Sequence, residues 1–548
     1  MPDTTTTTAA LADLGQQIWA WRAEHQPRSR DDIPRLDRPS GWLPDHRADT
    51  FAAVRSRRDA FEAELSALDP GSDVADRVDH RLLRSALARV HWEVDVLARW
   101  QRQPRFYIDQ ALGTVFDVLL PPGVDEARVH EVVRLLGAAP EILRHGLINL
   151  DGTAVAEFAD LAIGELADAG DRCDRLAAAL SAVAPDLTAD ITTACRTAAA
   201  ALSGYRDSLV AARPGMAAWS PVGAAQYEWF LREVAVLPYG VDELRLIGKL
   251  ELDRAMTLEH IELNKVRLAG TPRPPLPADA VEQAEREGKL ENEVRHFYVE
   301  QNLLSQPSTL GHYRTAPQPD YLEPLQFLGV DDDLTSPARL DEDGVSYVPA
   351  PSPDLPYFNA ANAIDPRAGI VHEGAHYQQL ALSWRHPRVL RRHFYDSGPN
   401  EGIAFYNEEL MLAAGLFADA PHTRPIIYNF MRLRALRVTV DVGLATGQLS
   451  IADAAAYLQT EVGLDPRTAA QEAADFAEGP GQAISYQIGK TQILELIADA
   501  VRLHWQATTG PMSLQDVHDF LWLNGNVPIA LVRWELLGLT DQLTRIGL

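Results

Sequence analysis

This sequence has little of what marks secreted, nucleic-acid-binding or membrane-spanning chains. Its 548 residues include only two cysteines, Cys173 and Cys195, and both lie in Ala- and Leu-rich stretches without a C-x-x-C partner. They are therefore predicted to be small buried apolar residues rather than metal ligands or a disulfide. Basic residues number 50 against 77 acidic ones, and the net charge of −27 argues against a general affinity for nucleic acid or anionic membranes.

Long apolar runs and leader-like segments are also missing. No run of roughly 18 apolar residues occurs, which argues against a membrane-spanning helix. The amino terminus, Met1-Pro2-Asp3 followed by five threonines, has neither the basic nor the apolar region of a signal peptide. These absences predict a cytoplasmic protein without a membrane partner; the sequence does not indicate its oligomeric state.

Alternating strand patterns are scarce, whereas apolar residues recur at three- and four-residue steps along most of the chain. This periodicity predicts a mostly all-α protein. Hydrophobic residues make up 46% and charged residues 23%, an ordinary globular composition, and the length allows one large core. Clear helical patterns cover residues 47–68, 126–148, 241–268 and 278–304.

One segment carries an H-E-x-x-H sequence, His372-Glu373-Gly374-Ala375-His376. Two histidines four residues apart on a helix differ by about 40° around its axis, so both imidazoles can bind one cation. Glu373 lies beside the first histidine, where it can accept a proton from a metal-bound water. The segment therefore predicts the core of a zinc site.

Glu401 is a candidate for the third ligand, because it begins a second helical pattern shortly after His376. Two imidazoles and one carboxylate leave a fourth position open for water, which is typical of a catalytic rather than a structural zinc site. This ligand set, which has no thiolate, predicts one Zn²⁺ per chain. Glu408 lies seven residues after Glu401 on the same helix face and is predicted to support a histidine ligand.

The chain is expected to be organised around this site. Residues 1–12 are predicted to form a disordered tail, residues 13–304 a helical scaffold, and residues 305–548 the metal-binding part with one continuous core. Ten prolines between residues 305 and 367 exclude long helices there and favour loops with a small β-sheet before the H-E-x-x-H helix. The strand candidates are residues 345–348 and 355–359.

A later helical segment carries Arg434, Arg437 and Asp441 at three- and four-residue steps. The spacing fits a surface ion-pair ladder of small energetic value. It fits equally well a role in which these side chains hold the metal ligands or contact the substrate. Both interpretations stay open from the residues alone.

Another helix is predicted to begin near Pro480, since proline favours the first turn of a helix. Gln482, Tyr486 and Lys490 would then share one face at four-residue steps. A tyrosine hydroxyl at this place can donate a hydrogen bond to an oxyanion. The spacing by itself favours a packing tyrosine.

These segments together resemble a bacterial family known as a domain of unknown function, which looks like a distant branch of the all-helical gluzincin peptidases. That group includes angiotensin-converting enzyme and carboxypeptidase Taq. The resemblance extends over nearly the whole chain and is specific as an ordered set of motifs. The residues that carry it are 223–227, 246–252, 372–376, 401–408, 437–444, 480–486 and 520–528.

The resemblance implies a large single-domain helical architecture with a central cleft, one side of which the scaffold 13–304 would form. It implies that His372, His376 and Glu401 ligate zinc and that Glu373 is the general base. It further implies that Tyr486 donates a hydrogen bond in the transition state. Gln482, Lys490, Arg434, Arg437, Asp441 and Glu408 are the candidates for supporting the ligands or binding substrate.

The predicted function is zinc-dependent hydrolysis of an amide or peptide bond, as in a gluzincin metallopeptidase. The chain departs from the family pattern at Ile403, where tryptophan is common, at Ala445, where histidine is common, and in the compact spacing of its two histidines. A biosynthetic metal enzyme, such as a lyase, a cyclase or a non-peptide hydrolase of a small metabolite, is therefore an alternative. An inactive binding protein is a second alternative, against which the intact Glu373 argues.

Overall fold

The computed structural model describes residues 4–30, 35–329, 332–349, 351–352, 355, 357–508, 510 and 512–547. Helices form most of these residues, which confirms the mostly all-α fold. In chain order, the helices before the sheet are α1 (Thr4–His25), α2 (Ala48–Ala67), α3 (Val74–His91), α4 (Arg99–Arg102), α5 (Pro104–Ile108), α6 (Thr114–Leu119), α7 (Glu126–Leu150), α8 (Ala156–Glu165), α9 (Ala169–Val183), α10 (Thr188–Ala212), α11 (Ala224–Trp229), α12 (Val241–Ala269) and α13 (Ala280–Glu300).

A second series of helices follows the sheet and carries every residue predicted to bind or surround the metal, apart from Gln482. These helices are α14 (Tyr357–Ile364), α15 (Arg367–Trp384), α16 (Val389–Arg392), α17 (Ser397–Ala414), α18 (Thr423–Ala445), α19 (Ile451–Val462), α20 (Pro466–Glu478), α21 (Ser485–Ala507), α22 (Leu514–Asn524), α23 (Ile529–Leu537) and α24 (Asp541–Arg545).

Local sequence explains where several of these helices begin. Asp396 accepts a hydrogen bond from the backbone N–H of Gly398 at the start of α17, and Asp465 caps α20 just before Pro466. Ser450 caps α19 through the N–H of Asp453. Side-chain oxygens at these positions satisfy N–H groups that have no partner within the helix.

The strands are β1 (Tyr313–Pro317), β2 (Asp332–Asp333) and β3 (Gly344–Val348), in the order β1-β3-β2. β1 and β3 are parallel, with Tyr313 opposite Gly344. The rings of Tyr313 and Tyr377 stack with their centroids 5.4 Å apart, so that β1 packs against α15. A small sheet before the H-E-x-x-H helix, including residues 345–348, is thereby confirmed.

Two local predictions are wrong. The strand candidate 355–359 is helical from Tyr357 onward, because the following Ala361 and Ile364 give a buried helical stripe, while Pro356 lies outside the described residues. The helix predicted to start near Pro480 begins at Ser485, and the residues before it form a turn. In addition, the structure places residues 4–12 of the predicted tail in α1; residues 1–3 lie outside the described part of the chain.

The chain divides into two compact units. The first comprises Met1–Gly71, Leu83–Val222 and Gln318–Asp333, and the second comprises Ser72–Leu82, Gly223–Pro317 and Leu334–Leu548. The predicted boundary between residues 304 and 305 lies within the second unit. Among the helices that the structure describes, none is both long enough and apolar enough to cross a membrane.

The first unit packs α7, α9 and α10 around a core that includes Leu136, Leu176 and Leu202. In the second unit α12 packs on α18, and α17 packs on both α15 and α21. This helix layer positions the residues of the predicted metal site.

Candidate metal centre

The two histidines of the H-E-x-x-H sequence lie on α15 and are both buried. Their ring centroids are 4.9 Å apart and their planes nearly perpendicular, as the four-residue spacing predicts. Glu373 is half-buried on the same helix. Its carboxylate forms no hydrogen bond or ion pair with any residue that the structure describes.

Glu401 approaches these histidines from α17. Its Oε2 atom lies 3.5 Å from Nε2 of His372 and 3.3 Å from Nε2 of His376. Ligand atoms at about 2.0–2.2 Å from a tetrahedral zinc are separated by roughly 3.3–3.5 Å from one another, so these spacings fit one ion. His372, His376 and Glu401, called the ligand cluster below, offer one ligand atom each within 4.8 Å of one another.

A buried polar atom without a hydrogen-bond partner is a second observation in favour of a cation at the ligand cluster. The buried Oε2 of Glu401 has no hydrogen-bond partner among the described residues. Buried polar atoms without partners are rare and costly, because they have lost their hydration without replacement. A divalent cation would satisfy this oxygen together with the two imidazole nitrogens.

Two glycines allow α17 to come close to α21. A Cβ at Gly402 would lie 2.6 Å from Cα of Gly489, and a Cβ at Gly489 would lie 2.1 Å from the carbonyl oxygen of Gly398. Larger residues would force the helices apart, because atoms cannot approach to these distances. The glycines thus determine how close the helix of Glu401 lies to the helix of Tyr486.

Asn407 joins α17 to the histidine helix. Its side-chain amide donates to the carbonyl oxygen of Val371 and to the hydroxyl of Tyr298, both at 2.6 Å. Asn407 is fully buried, and Val371 directly precedes the first ligand. Sequence reasoning missed this residue, although it lies one position before Glu408.

Glu408 contacts the opposite side of the first imidazole. Its Oε1 lies 2.7 Å from Nδ1 of His372 and 3.1 Å from Nη2 of Arg434. A carboxylate at this nitrogen fixes the ring so that Nε2 faces the cluster. The geometry is the one expected of a residue that supports a metal-binding histidine.

Charge at the site is unbalanced. Burial lowers the pKa of His372, but Glu373, Glu401 and Glu408 outweigh burial and raise this pKa to about 9. Burial likewise raises the pKa of Glu401, yet the two imidazoles bring it well below its usual value. Carboxylates therefore draw positive charge into the cluster, which is a property of a cation site.

Among the described residues, the carboxylates of Glu373, Glu401, Glu408 and Glu472 are opposed by the guanidinium groups of Arg434 and Arg437. Glu408 pairs with Arg434, and the carboxylate of Glu472 lies 2.7 Å from Nη2 of Arg437. Glu373 and Glu401 have no guanidinium partner in the described part of the chain. With neutral imidazoles the group carries two negative charges, which one divalent cation would neutralise.

Tyr486 lies on the first turn of α21 and is half-buried. Its ring stacks on that of His372, with centroids 6.3 Å apart. Guanidinium carbons of Arg434 and Arg437 lie 5.3 and 5.2 Å from the ring centre. Burial and the charge of Glu401 raise the pKa of the hydroxyl, so it is a proton donor at neutral pH.

Asp441 holds the turn before Tyr486. Its carboxylate accepts hydrogen bonds from the N–H groups of Gly481, at 2.9 Å, and Ala483, at 3.0 Å. The hydroxyl of Tyr227 donates to it at 2.8 Å. Gly481 has a φ of +97° and packs against Phe230, which explains why glycine is needed there. Asp441 thereby fixes the start of α21 without contacting the ligand cluster itself.

The surface-ladder interpretation of Arg434, Arg437 and Asp441 is wrong, because all three side chains are buried. They also do not pair with one another, since each contacts a different partner on another element. Arg434 is enclosed by rings of Phe358, Phe405, Phe430 and Tyr486 at 5.0 to 5.6 Å. The enclosing phenylalanines were missed, because aromatic residues scattered over several segments give no spacing signal.

Two further candidates lie elsewhere. Gln482 lies in the turn before α21, not on the helix face of Tyr486. Lys490 is fully buried, and its ammonium lies 2.9 Å from Glu409 and 3.2 Å from Glu251. Of the face predicted for the three residues, Tyr486 and Lys490 remain four residues apart on α21, and Gln482 is not part of it.

Comparison with known proteins gives a family match over part of the chain and two similar folds. Residues 332–536 match the model of a family described as "Bacterial protein of unknown function (DUF885)". This range contains the ligand cluster, Glu373, Glu408 and Tyr486. No curated protein matches the chain.

Two solved structures are similar over nearly the whole length. One is described as a "putative lipoprotein of unknown function" from Shewanella oneidensis, with a TM-score of 0.70 and 16% identity, covering 98% of this chain and 100% of that chain. The other is a "putative lipoprotein" from Colwellia psychrerythraea, with a TM-score of 0.72 and 15% identity, covering 97% and 98%. At these identities the likeness concerns the fold.

Proposed function

We propose that the chain is a zinc-dependent hydrolase of amide or peptide bonds, of the gluzincin type. The observation that carries the proposal is the convergence of Nε2 of His372, Nε2 of His376 and Oε2 of Glu401 at spacings suited to one tetrahedral ion. Glu373 beside them, which has no ion-pair partner among the described residues, supports a catalytic rather than a structural role, because a structural site needs no base. One Zn²⁺ per chain is the proposed cofactor.

Bound at this site, zinc would polarise the substrate carbonyl and make a water molecule more acidic. Glu373 is proposed to accept the proton of the attacking water and to return it to the leaving amine. No described residue competes for this carboxylate, which leaves it available for both transfers. The raised pKa of Tyr486 keeps its hydroxyl protonated, so that it can donate to the oxygen that becomes negative as the carbonyl is attacked.

Glu408 and Arg434 have a different role in the proposal. Glu408 orients His372 through Nδ1, and Arg434 holds Glu408. Arg437 flanks Tyr486, and Asp441 fixes the turn from which Tyr486 projects. Gln482 and Lys490 remain candidates from the sequence pattern, with no contact to the ligand cluster to support them.

The proposed substrate is a peptide or a small amide-containing molecule, and the proposed location is the cytoplasm. Ile403 and Ala445, at which the chain departs from the family pattern, are both buried. A lyase, cyclase or non-peptide hydrolase using the same metal is the alternative, and an inactive binding protein is a second one. Metal content together with peptide turnover separates these possibilities.

Glu373→Gln is the test of the proposed base. The variant should bind metal like the wild type, because Glu373 is not a ligand, while turnover of a peptide library falls roughly a hundredfold to ten-thousandfold. Glu300→Gln, at the exposed end of α13, is the matched control and should change neither property. Near-normal turnover by Glu373→Gln would rule out the proposed base. Less than about a tenth of an equivalent of metal, with no uptake on titration, would rule out the metal site.

A further inference from the structure

We propose that Phe358 forms, with Tyr486, a subsite for a large uncharged apolar side chain of the substrate. This inference rests on the proposed function and names the class of substrate residue that the same site accepts. Phe358 lies on α14, which immediately precedes the histidine helix α15. Its side chain is one of the large apolar groups that the structure leaves exposed, at 36%.

The ring of Phe358 is fixed on one side and open on the other. Its centroid lies 5.0 Å from the ring of Tyr357 and 5.1 Å from that of Phe430. Phe430 is buried, at 4% exposure, and anchors the group in the core. A ligand that covers a rigid, exposed aromatic ring gains binding free energy from the buried apolar surface. Little conformational entropy is lost at the ring, because the ring was already immobilised on folding.

Arg434 links this aromatic face to Tyr486 and to His372. The guanidinium carbon of Arg434 lies 5.6 Å from the ring centre of Phe358 and 5.3 Å from that of Tyr486. Nη2 of the same guanidinium lies 3.5 Å from Nδ1 of His372. Phe358 is thus two contacts away from a metal ligand. The Arg434 contact is on the Nδ1 side of His372, so the path from the metal to Phe358 through Arg434 is at most the length of about four extended residues at 3.3–3.6 Å each, and a substrate held at the metal can reach Phe358 within that length.

Charge decides which side chains can bind. An acidic side chain would have to compete with Glu408 for Arg434 and with Glu472 for Arg437. A basic side chain would have to compete with Arg434 for Glu408 and with Arg437 for Glu472. An uncharged apolar side chain meets neither cost and gains the burial of aromatic surface.

Binding can be measured apart from catalysis in the zinc-loaded Glu373→Gln protein. The probes are hexapeptides of alanine in which one residue at a time is replaced by Phe, Glu or Lys. We expect one Phe peptide to bind about tenfold to a hundredfold more tightly than the all-alanine peptide, the scale of burying one large apolar side chain. The Glu and Lys peptides at that position should bind no better than alanine.

Adding Phe358→Ala to this protein should remove most of the preference. Trp505→Ala is the matched control: Trp505 is 69% exposed near the far end of α21, roughly 28 Å from Tyr486 at 1.5 Å per residue, and its loss should change no affinity. Equal affinity for the Phe and alanine peptides, or a preference that survives Phe358→Ala, would overturn the proposal. The first of these measurements needs no variant of Phe358 and decides the matter even if that variant fails to fold.

The failure of this proposal can be distinguished from failure of the proposed function. If wild-type protein hydrolyses none of the peptides but the Glu373→Gln protein shows the Phe preference, hydrolysis is excluded and the subsite stands. If wild-type protein hydrolyses the alanine and Phe peptides at equal kcat/KM, hydrolysis stands and the subsite is excluded.

Discussion

Two clusters of charged residues share helix α17, and they are built differently. In the Lys490 cluster, consisting of Lys490, Glu409, Glu251 and Arg254, two cations face two carboxylates. At the ligand cluster, by contrast, the described carboxylates of Glu373, Glu401, Glu408 and Glu472 face two guanidinium groups, those of Arg434 and Arg437. Glu408 and Glu409 are adjacent in sequence, yet each belongs to a different cluster, because successive residues on a helix point about 100° apart.

The difference separates a cluster whose charges are paired from a cluster in which some charges have no partner among the described residues. Lys490 is fully enclosed and its charge is neutralised where it lies, which lets a buried ammonium exist at modest cost. The ligand cluster leaves an oxygen of Glu401 unsatisfied and keeps Glu373 without a partner among described residues. A protein that maintains such an imbalance loses stability unless something binds there.

The largest expected effect comes from removing the charge that the cation would neutralise. Glu401→Ala takes away one of three ligand atoms, and the variant should lose bound zinc and peptide turnover together. Elemental analysis after dialysis measures the first and a peptide assay the second. Glu409→Ala, eight residues later on the same helix, is the matched control and should retain its metal. Full metal content in Glu401→Ala would remove Glu401 from the ligand set.

The Lys490 cluster should respond to pH through Glu409. Burial opposes ionisation of this carboxylate, but Lys490 and Arg254 lower its pKa from 4.5 to about 2. The ionised form is therefore favoured in the folded state. Its contribution is complete above about pH 4.5 and is lost as the pH falls towards 2.

Glu409→Gln tests this titration. At pH 7 the variant should lose on the order of 3 kcal/mol of the free energy of unfolding, since each pKa unit corresponds to about 1.4 kcal/mol. The difference from wild type should shrink as the pH falls from 5 towards 2, because over this range the unfolded wild-type chain binds a proton at Glu409 that the folded protein does not. Urea unfolding at several pH values measures both trends. A difference that stays constant down to pH 3 would contradict the assignment, as would loss of metal at pH 7.

Tyr486 lies at the boundary between the two clusters, four residues before Lys490 on α21. If its hydroxyl donates to the developing oxyanion, Tyr486→Phe should lower turnover roughly a hundredfold or more while metal content and stability stay nearly unchanged. Tyr486→Ala is the comparison, because it also removes the ring that stacks on His372 and costs stability. Full turnover by the Phe variant, with only the Ala variant impaired, would make Tyr486 a packing residue.

Sequence reasoning predicted the part of this site that depends on spacing along one helix. His372 and His376 lie on one helix at a fixed angle, and Glu408 lies on the face of α17 that its distance from Glu401 predicts. The helix patterns at 126–148 and 241–268 were likewise confirmed to within about two residues.

What the sequence did not predict depends on contacts between elements. Lys490 follows Tyr486 by four residues but contacts Glu409 and Glu251, because α17 and α12 meet α21 on that side. The sequence also did not predict that Arg434 is buried, because the phenylalanines that enclose it come from three separate helices, α14, α17 and α18. Asn407 has no periodic signal at all, because its role is to reach one backbone carbonyl of the neighbouring helix.

The smallest expected effect concerns Glu408, which contacts His372 of the ligand cluster, whereas the adjacent Glu409 belongs to the Lys490 cluster. Glu408→Gln retains the shape and can still accept one hydrogen bond from Nδ1 of His372, but it no longer carries the charge that Arg434 balances. Zinc affinity should fall about tenfold to a hundredfold, as is usual when a carboxylate behind a ligating histidine is replaced. Competition with a chelator of known affinity measures the change, and Glu409→Gln is the control with the same chemical substitution on the neighbouring residue. A loss of zinc affinity at unchanged stability would show that Glu408 supports the metal site. If Glu408→Gln instead lowered the free energy of unfolding and left zinc affinity unchanged, Glu408 would have a stabilising role like that of the Lys490 cluster.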